Sequence, residues 1–268
     1  MASRSNIISE SLIAIDSVTH SYRKDDSVLR VLEKVSLNVP EHGFAAIVGP
    51  SGCGKSTLTR LIAGLMKPEE GSVWLHGERV LSPRSTVGMA FQNPVLLEWR
   101  TILKNVLLPL EIVSSDFTRT DAEERAHHLL DLVGLSGFED KRPSELSGGM
   151  RQRASLCRAL IHKPKVLILD EPFGALDAFT REDLWLTMDR LRVKEPFTAV
   201  MITHDLRESI FLADEVIVLS DRPATVQHRV RLDRNGPRSL DFLYTHESNQ
   251  ILNELRKQIH IARNNVGT

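Results

Sequence analysis

Phe44-Ala45-Ala46-Ile47-Val48-Gly49-Pro50-Ser51-Gly52-Cys53-Gly54-Lys55-Ser56-Thr57-Leu58 is the stretch whose reading decides the fold of this chain. Its first five residues are a continuous apolar run, the pattern of a strand buried on both faces. From Thr57 to Gly64, Leu58, Leu61 and Ile62 recur at helical spacing, and Gly64 can stop the helix. Between strand and helix, Gly49–Ser56 satisfies G-x-x-x-x-G-K-[ST] at every required position. Glycines let backbone N–H groups converge on an anion. The helix that follows adds unpaired N–H groups and the positive end of its dipole. In such a loop Lys55 sets a point charge on β- and γ-phosphates, and the Ser56 hydroxyl faces Mg²⁺. The expected phosphate-binding set is therefore Gly49, Pro50, Ser51, Gly52, Cys53, Gly54, Lys55, Ser56 and Thr57. The loop specifies a nucleotide, not a task.

Outward from the loop, Val166-Leu167-Ile168-Leu169 is an apolar strand ending in Asp170-Glu171. A carboxylate at such a strand tip can hold Mg²⁺, which assigns that role to Asp170. Glu171 is then placed to orient or deprotonate a water. Thr198–Thr203 is a further apolar strand, with His204 at its end, and Gln92 follows the strand-like Val87–Phe91. Short strands are also expected at Ile13–Val18, Val73–Leu75 and Val216–Leu219. Between Asn93 and His162 the pattern turns helical. Asp121 is expected to cap a helix over Ala122–Val133, with Glu124 as capping-box partner and Gly134 as the stop. A second helix is expected over Met150–His162, with Met150, Ala154, Cys157 and Ile161 on one face. Ser248–Ile261 reads as a terminal helix.

The whole chain has 268 residues, 41% hydrophobic and 26% charged, with a formal net charge of -1. That balance carries no basic excess and points away from nucleic acid. Cys53 and Cys157 have no metal-ligand spacing, which favours a reducing compartment. No window approaches the run of about 18 apolar residues that a membrane span needs. Met1–Glu10 is polar and reads as no signal peptide. A cytosolic protein is expected, soluble when isolated, with any membrane role carried by a partner.

Leu146-Ser147-Gly148-Gly149-Met150-Arg151-Gln152-Arg153 brings in a family resemblance. It is similar to the LSGGQ signature loop of the ATP-binding cassette (ABC) ATPases, with Met150 where Gln is usual. It is also a second glycine-rich loop entering a helix, hence a second anion site. The resemblance implies an α/β P-loop fold of the ABC ATPase type: a mixed sheet core, an inserted helical subdomain and an antiparallel β part. It implies a tail at 1–11, an ATPase domain at 12–222 with the helical subdomain at about 93–162, and a short tail with a helix at 223–268. Tyr22 matches the ring that stacks on adenine, and Gln92 the glutamine that touches Mg²⁺ and water. Gly174-Ala175-Leu176-Asp177 resembles the D-loop, and His204 the switch histidine. Catalysis then falls to Glu171, His204, Gln92 and Lys55, and Mg²⁺ to Ser56, Gln92 and Asp170. In the family, Ser147, Gly148, Gly149 and Asp177 serve the ATP bound to the other copy of a two-fold dimer.

Phe91-Gln92-Asn93-Pro94-Val95-Leu96-Leu97-Glu98-Trp99-Arg100-Thr101-Ile102-Leu103-Lys104-Asn105-Val106 resembles the pattern of importers in the nitrate/sulfonate/taurine group. The resemblance implies an ATPase subunit at the cytoplasmic face of the inner membrane. Its partners would be two membrane permease subunits, met near Leu96, Leu97 and Trp99, and an extracytoplasmic solute-binding protein. Arg222-Pro223-Ala224-Thr225-Val226 resembles the start of that group's short tail, too short for an added regulatory domain. An exporter ATPase and a soluble non-transport cassette are the competing readings.

Overall fold

The computed structural model describes residues 11–24, 27–113, 117–174, 176–234 and 236–264. Residues 1–10 of the expected tail and Ala175 of the D-loop lie outside them; Ser11 already belongs to a strand. The first elements are β1 (Ser11–Lys24), β2 (Ser27–Pro40), β3 (Phe44–Val48), α1 (Lys55–Ile62), β4 (Glu70–Leu75), β5 (Glu78–Arg79) and β6 (Val87–Phe91). There follow α2 (Ile102–Ile112), α3 (Arg119–Leu132), α4 (Gly148–Leu160), β7 (Val166–Asp170) and α5 (Ala178–Lys194). The last are β8 (Thr198–Ile202), α6 (Leu206–Leu212), β9 (Glu215–Leu219), β10 (Val226–Arg231) and α7 (His246–Asn264). The chain forms two compact units, one of Met1–Arg84 with Phe197–Thr268, the other of Ser85–Pro196.

In the first unit β3 lies between β8 and β9, parallel to both, with Ile47 opposite Ile202 and Ile217. Every residue of β3 and β8 is buried, which is why both read as unbroken apolar runs. Their carboxyl ends share one side, so Gly49 and His204 leave the sheet there together. The N–H of Phe44 donates to Asp214 Oδ2 at 2.8 Å, pinning the start of β3. A second, antiparallel sheet has the order β2-β1-β4-β5. It supplies the expected antiparallel part; the expected Ile13–Val18 strand runs on to Lys24. The segment 223–268 contains the expected helix as α7 but also β10, antiparallel to β9. Its charged alternation, Gln227 to Arg231, hides the strand because neither face is fully buried.

In the second unit β6 and β7 pair in parallel, Val87 opposite Val166 and Phe91 opposite Asp170. α4 crosses β6 so closely that a Cβ on Gly88 would stand 2.2 Å from the Ala159 carbonyl oxygen. Ile102, Val106, Ala126, Leu129, Leu130, Ala154 and Cys157 form the core between α2, α3 and α4. Two expected helix starts are corrected. α3 begins three residues earlier, at Arg119. Its N-cap is Thr118, and Asp121 is the third-position partner of that capping box rather than the cap. The hydroxyl of Thr118 accepts from the Asp121 N–H, a geometry open only to the residue before the helix. α4 begins at Gly148 and not Met150, with Ser147 as its cap.

Candidate functional site

The phosphate loop is shaped by what surrounds it. Gly54, the residue before α1, has φ 121°, and a Cβ there would lie 2.7 Å from Val31 Cγ1 and 2.8 Å from Leu32 Cδ2. Only glycine fits both the angle and the space. Lys55 is only 7% exposed, and its ammonium donates to the carbonyls of Gly49 at 3.0 Å and Pro50 at 2.8 Å. The loop thus holds its cation against its own backbone. Cys53 is buried beneath it, and burial pushes the thiol up against the opposing pull of Lys55, so it packs as a small apolar group. Ser56 is exposed on the first turn of α1. Tyr22 shares a 3.2 Å hydrogen bond with Thr57 Oγ1 and stands edge-to-face on His20 at 5.3 Å. The ring therefore flanks the start of α1, two residues from Lys55. His204 is exposed at the end of β8, and the turn carrying it is fixed by neighbours. The Asp205 N–H donates to Thr203 Oγ1, and Asp205 Oδ1 accepts from the Arg207 and Glu208 N–H groups.

The remaining expected residues lie in the second unit. Gln92 and Glu171 each follow the last paired residue of β6 and β7, so they leave the strands at the same end. Asp170 and Glu171 are half-buried and Gln92 is exposed. Glu171 sits at φ 48°, in the left-handed region, where a non-glycine residue costs on the order of 1 kcal/mol. The backbone therefore turns away from the extended line of β7 at Glu171.

Ser147 Oγ accepts from the Met150 N–H at 3.3 Å, which leaves its own O–H free to donate outward. Gly149 lies against α5: a Cβ there would be 2.4 Å from Thr180 Cγ2. Asp177 caps α5, accepting from Thr180 N at 3.0 Å and Thr180 Oγ1 at 2.6 Å. The Thr180 hydroxyl, then its N–H, hold the Asp177 carboxyl below its ordinary 3.8. The signature loop and the D-loop are thereby brought together, two helix N-termini side by side.

Two residues to which the quoted motifs assigned no role organise the segment after Gln92. Gln152, buried on α4, donates to the Phe91 carbonyl at 3.0 Å. Asn105, fully buried on α2, donates to the carbonyls of Leu97, Arg100 and Thr101 and accepts from the Leu97 N–H at 2.7 Å. The polarity of Asn105 inside a largely apolar run was the available signal there; Gln152, between Arg151 and Arg153, carried none. Of the expected partner-contact residues, Leu96 is only 8% exposed and belongs to the core, whereas Trp99 is 73% exposed. Trp99 borders a groove with Leu103, Leu107 and Leu110.

Among the described residues no three His, Cys, Asp or Glu side chains cluster to cage a metal. A hydroxyl such as that of Ser56 and a single carboxylate such as that of Asp170 suit Mg²⁺, which completes its shell with substrate phosphates and water.

A glycine loop opening a helix at the carboxyl end of a parallel strand defines a P-loop nucleotide-binding protein. The sequence profile of the ABC transporter family matches residues 32–174, just over half of the chain. The nitrate import ATP-binding protein of Synechococcus elongatus is 42% identical over 84% of this chain, which spans about a third (34%) of that longer protein. The bicarbonate transport ATP-binding protein of a Synechocystis strain is 40% identical, covering 85% of this chain and 82% of its own. An aliphatic sulfonates import ATP-binding protein of Bacillus cereus is 34% identical over 92% of this chain and 94% of its own. Among solved structures, a dimeric post-hydrolysis ATP-binding cassette bound to ADP and Pi superposes with TM-score 0.73. It is 29% identical, over 83% of this chain and 99% of that one. This chain belongs to the ABC transporter family and is an ATP-binding cassette ATPase, as the signature loop implied.

Proposed function

We propose that this ATPase, with residues 12–222 as its working domain, drives import of a small anion through separate membrane permease subunits. The observation that carries the reading is the pairing of Ser147–Gly149 with Asp177. They form a second anion-ready surface in a chain that already has a phosphate loop. A head-to-tail homodimer gives both loops one use: Lys55 and Ser147 of different copies grip one ATP. Gly49–Thr57 cradle the phosphates, Tyr22 stacks on the base, and Asp177 reaches across the dimer. Mg²⁺, when bound with ATP through Ser56, Gln92 and Asp170, neutralises phosphate charge. Glu171 takes the proton of the attacking water, held in line by Gln92 and His204. Lys55 and the N–H donors of Gly148 and Gly149 stabilise the charge that develops on the γ-phosphoryl oxygens. Loss of the γ-phosphate removes the bridge and opens the dimer.

Three relatives are named for nitrate, bicarbonate and aliphatic sulfonates, all small oxyanions, which supports the choice of solute class. The absence, among the described residues, of any helix long and apolar enough to cross a membrane fits a peripheral subunit. Trp99 is the exposed apolar contact for a permease, and an extracytoplasmic binding protein delivers the solute. The test is Glu171→Gln. Expected is an ATP-dependent dimer on gel filtration with hydrolysis at least about a hundred-fold slower. Unchanged turnover would remove Glu171 from catalysis. Import is tested in liposomes holding the permease subunits; uptake that needs no binding protein, or efflux, would overturn it.

A further inference from the structure

At the end of the β6–β7 pair opposite Gln92 and Glu171 lies a concave space of about 810 Å³. That is within the range of sites for organic ligands. Thr86 and Lys165, just before the two strands, line it, together with one side of α3 and the residues after α4. Its charges are unevenly committed. Arg125 is committed: it donates to the Leu160 and Ile161 carbonyls at 3.0 and 2.9 Å and pairs with Glu195 at 3.0 Å. Asp121 is held by Thr118 in the capping box. Lys163 and Lys165 make no ion pair among the described residues, and Glu124 is the remaining acid of the lining. Lys163 adopts φ 52°, its N–H donates to the Leu160 carbonyl, and its ammonium lies 5.4 Å from the centre of the Phe117 ring. A lysine fixed in the left-handed region over an aromatic face is a placement with a conformational cost. Beside it, burial holds the His162 imidazole below its ordinary 6.5, and its Nδ1 is buried without a hydrogen-bond partner. No role in ATP hydrolysis falls to any of these residues.

We propose that this space binds an organic anion, its phosphate or carboxylate held between Lys163 and Lys165 and its apolar body against Phe117 and His128. Such a ligand ties α3 to the junction of α4 and β7. These are the bases of elements whose far ends carry Ser147 and Asp170, the 13 residues of α4 spanning about 20 Å.

The probe is phenyl phosphate, titrated by calorimetry into the full chain saturated with Mg²⁺ and a non-hydrolysable ATP analogue. Expected is saturable binding, retained by Lys55→Ala and weakened about ten-fold or more by Lys163→Glu with Lys165→Glu. Hydrogen exchange should slow in residues 119–128 and 160–166 when the probe is bound. If charge reversal disturbs folding, Lys163→Gln with Lys165→Gln, at unchanged melting temperature, should still weaken binding about three-fold. No saturable binding, equal binding by the lysine variants, or loss in Lys55→Ala would each overturn the site.

Discussion

A methyl group added at Gly149 would collide with Thr180 Cγ2, so the Thr180 side chain, which holds Asp177, would have to turn to admit it. Gly149→Ala is expected to destabilise the fold by about 1–3 kcal/mol through overpacking. The offending atom is Thr180 Cγ2, so Thr180→Ser, which keeps the hydroxyl for Asp177, should restore most of that loss. Urea unfolding of the four proteins in the cycle checks it, and independent, additive effects would refute the contact. Thr180 has a second consequence. It holds the Asp177 carboxyl below 3.8, so the group's contribution is fully present above about pH 4 and fades as pH falls through the folded value. Thr180→Val removes the larger cause, and the Asp177 midpoint, followed by carboxyl-carbon NMR, should move up toward 3.8. A midpoint that stays put would show that the hydroxyl does not set it. At this scale the sequence was most legible where chemistry forces a motif, as at Gly54 and Lys55. The partners of Gln152 and Asn105 were illegible because they are backbone groups, which any residue supplies.

The segment from Asn93 to Thr101 is an element without regular structure, and side chains replace the missing ladder. From a fully buried position the Asn105 amide donates to three of its carbonyls and accepts one N–H; the Leu97 and Thr101 carbonyls also accept backbone N–H groups, whereas the Leu97 N–H and the Arg100 carbonyl depend on Asn105. Asn105→Leu leaves the Leu97 N–H and the Arg100 carbonyl without that partner, at about 1–3 kcal/mol for a single orphan and somewhat more for the two. We expect a loss of about 3 kcal/mol in stability and new proteolytic cleavage near Trp99, seen by limited digestion. Resistance equal to the parent protein would mean the segment is held by other contacts, such as the bond from Arg158 to the Val95 carbonyl. Elements buried on both faces, β3, β7 and β8, were readable as apolar runs. β2 and β10 were not, since their exposed ends carry mixed polar residues that resemble loop. The start of α3 was misplaced because Thr118 and Asp121 are both good caps, and only the hydrogen-bond geometry distinguishes them.

At the scale of the whole molecule, the proposal that each ATP is shared between two copies has a consequence that no single-chain site can imitate. Lys55→Ala abolishes the phosphate-loop half and Ser147→Arg blocks the signature half, so each variant alone is expected to be inactive. In a mixture, half the dimers are mixed. Each mixed dimer rebuilds one intact site, using Lys55 from the Ser147→Arg copy and Ser147 from the Lys55→Ala copy. The ATPase rate of an equal mixture should therefore rise above the sum of the separate proteins, to at most about a quarter of the parent rate. It should also climb with total protein concentration, because assembly is bimolecular. A site contained in one chain predicts no recovery at any ratio, since no single copy would hold both loops intact. Phe179, 84% exposed two residues beyond Asp177, lies on the surface that would be covered, so Phe179→Ser should lower the concentration-dependent part of the rate and spare folding. An unchanged concentration dependence in that variant would place the contact between copies elsewhere.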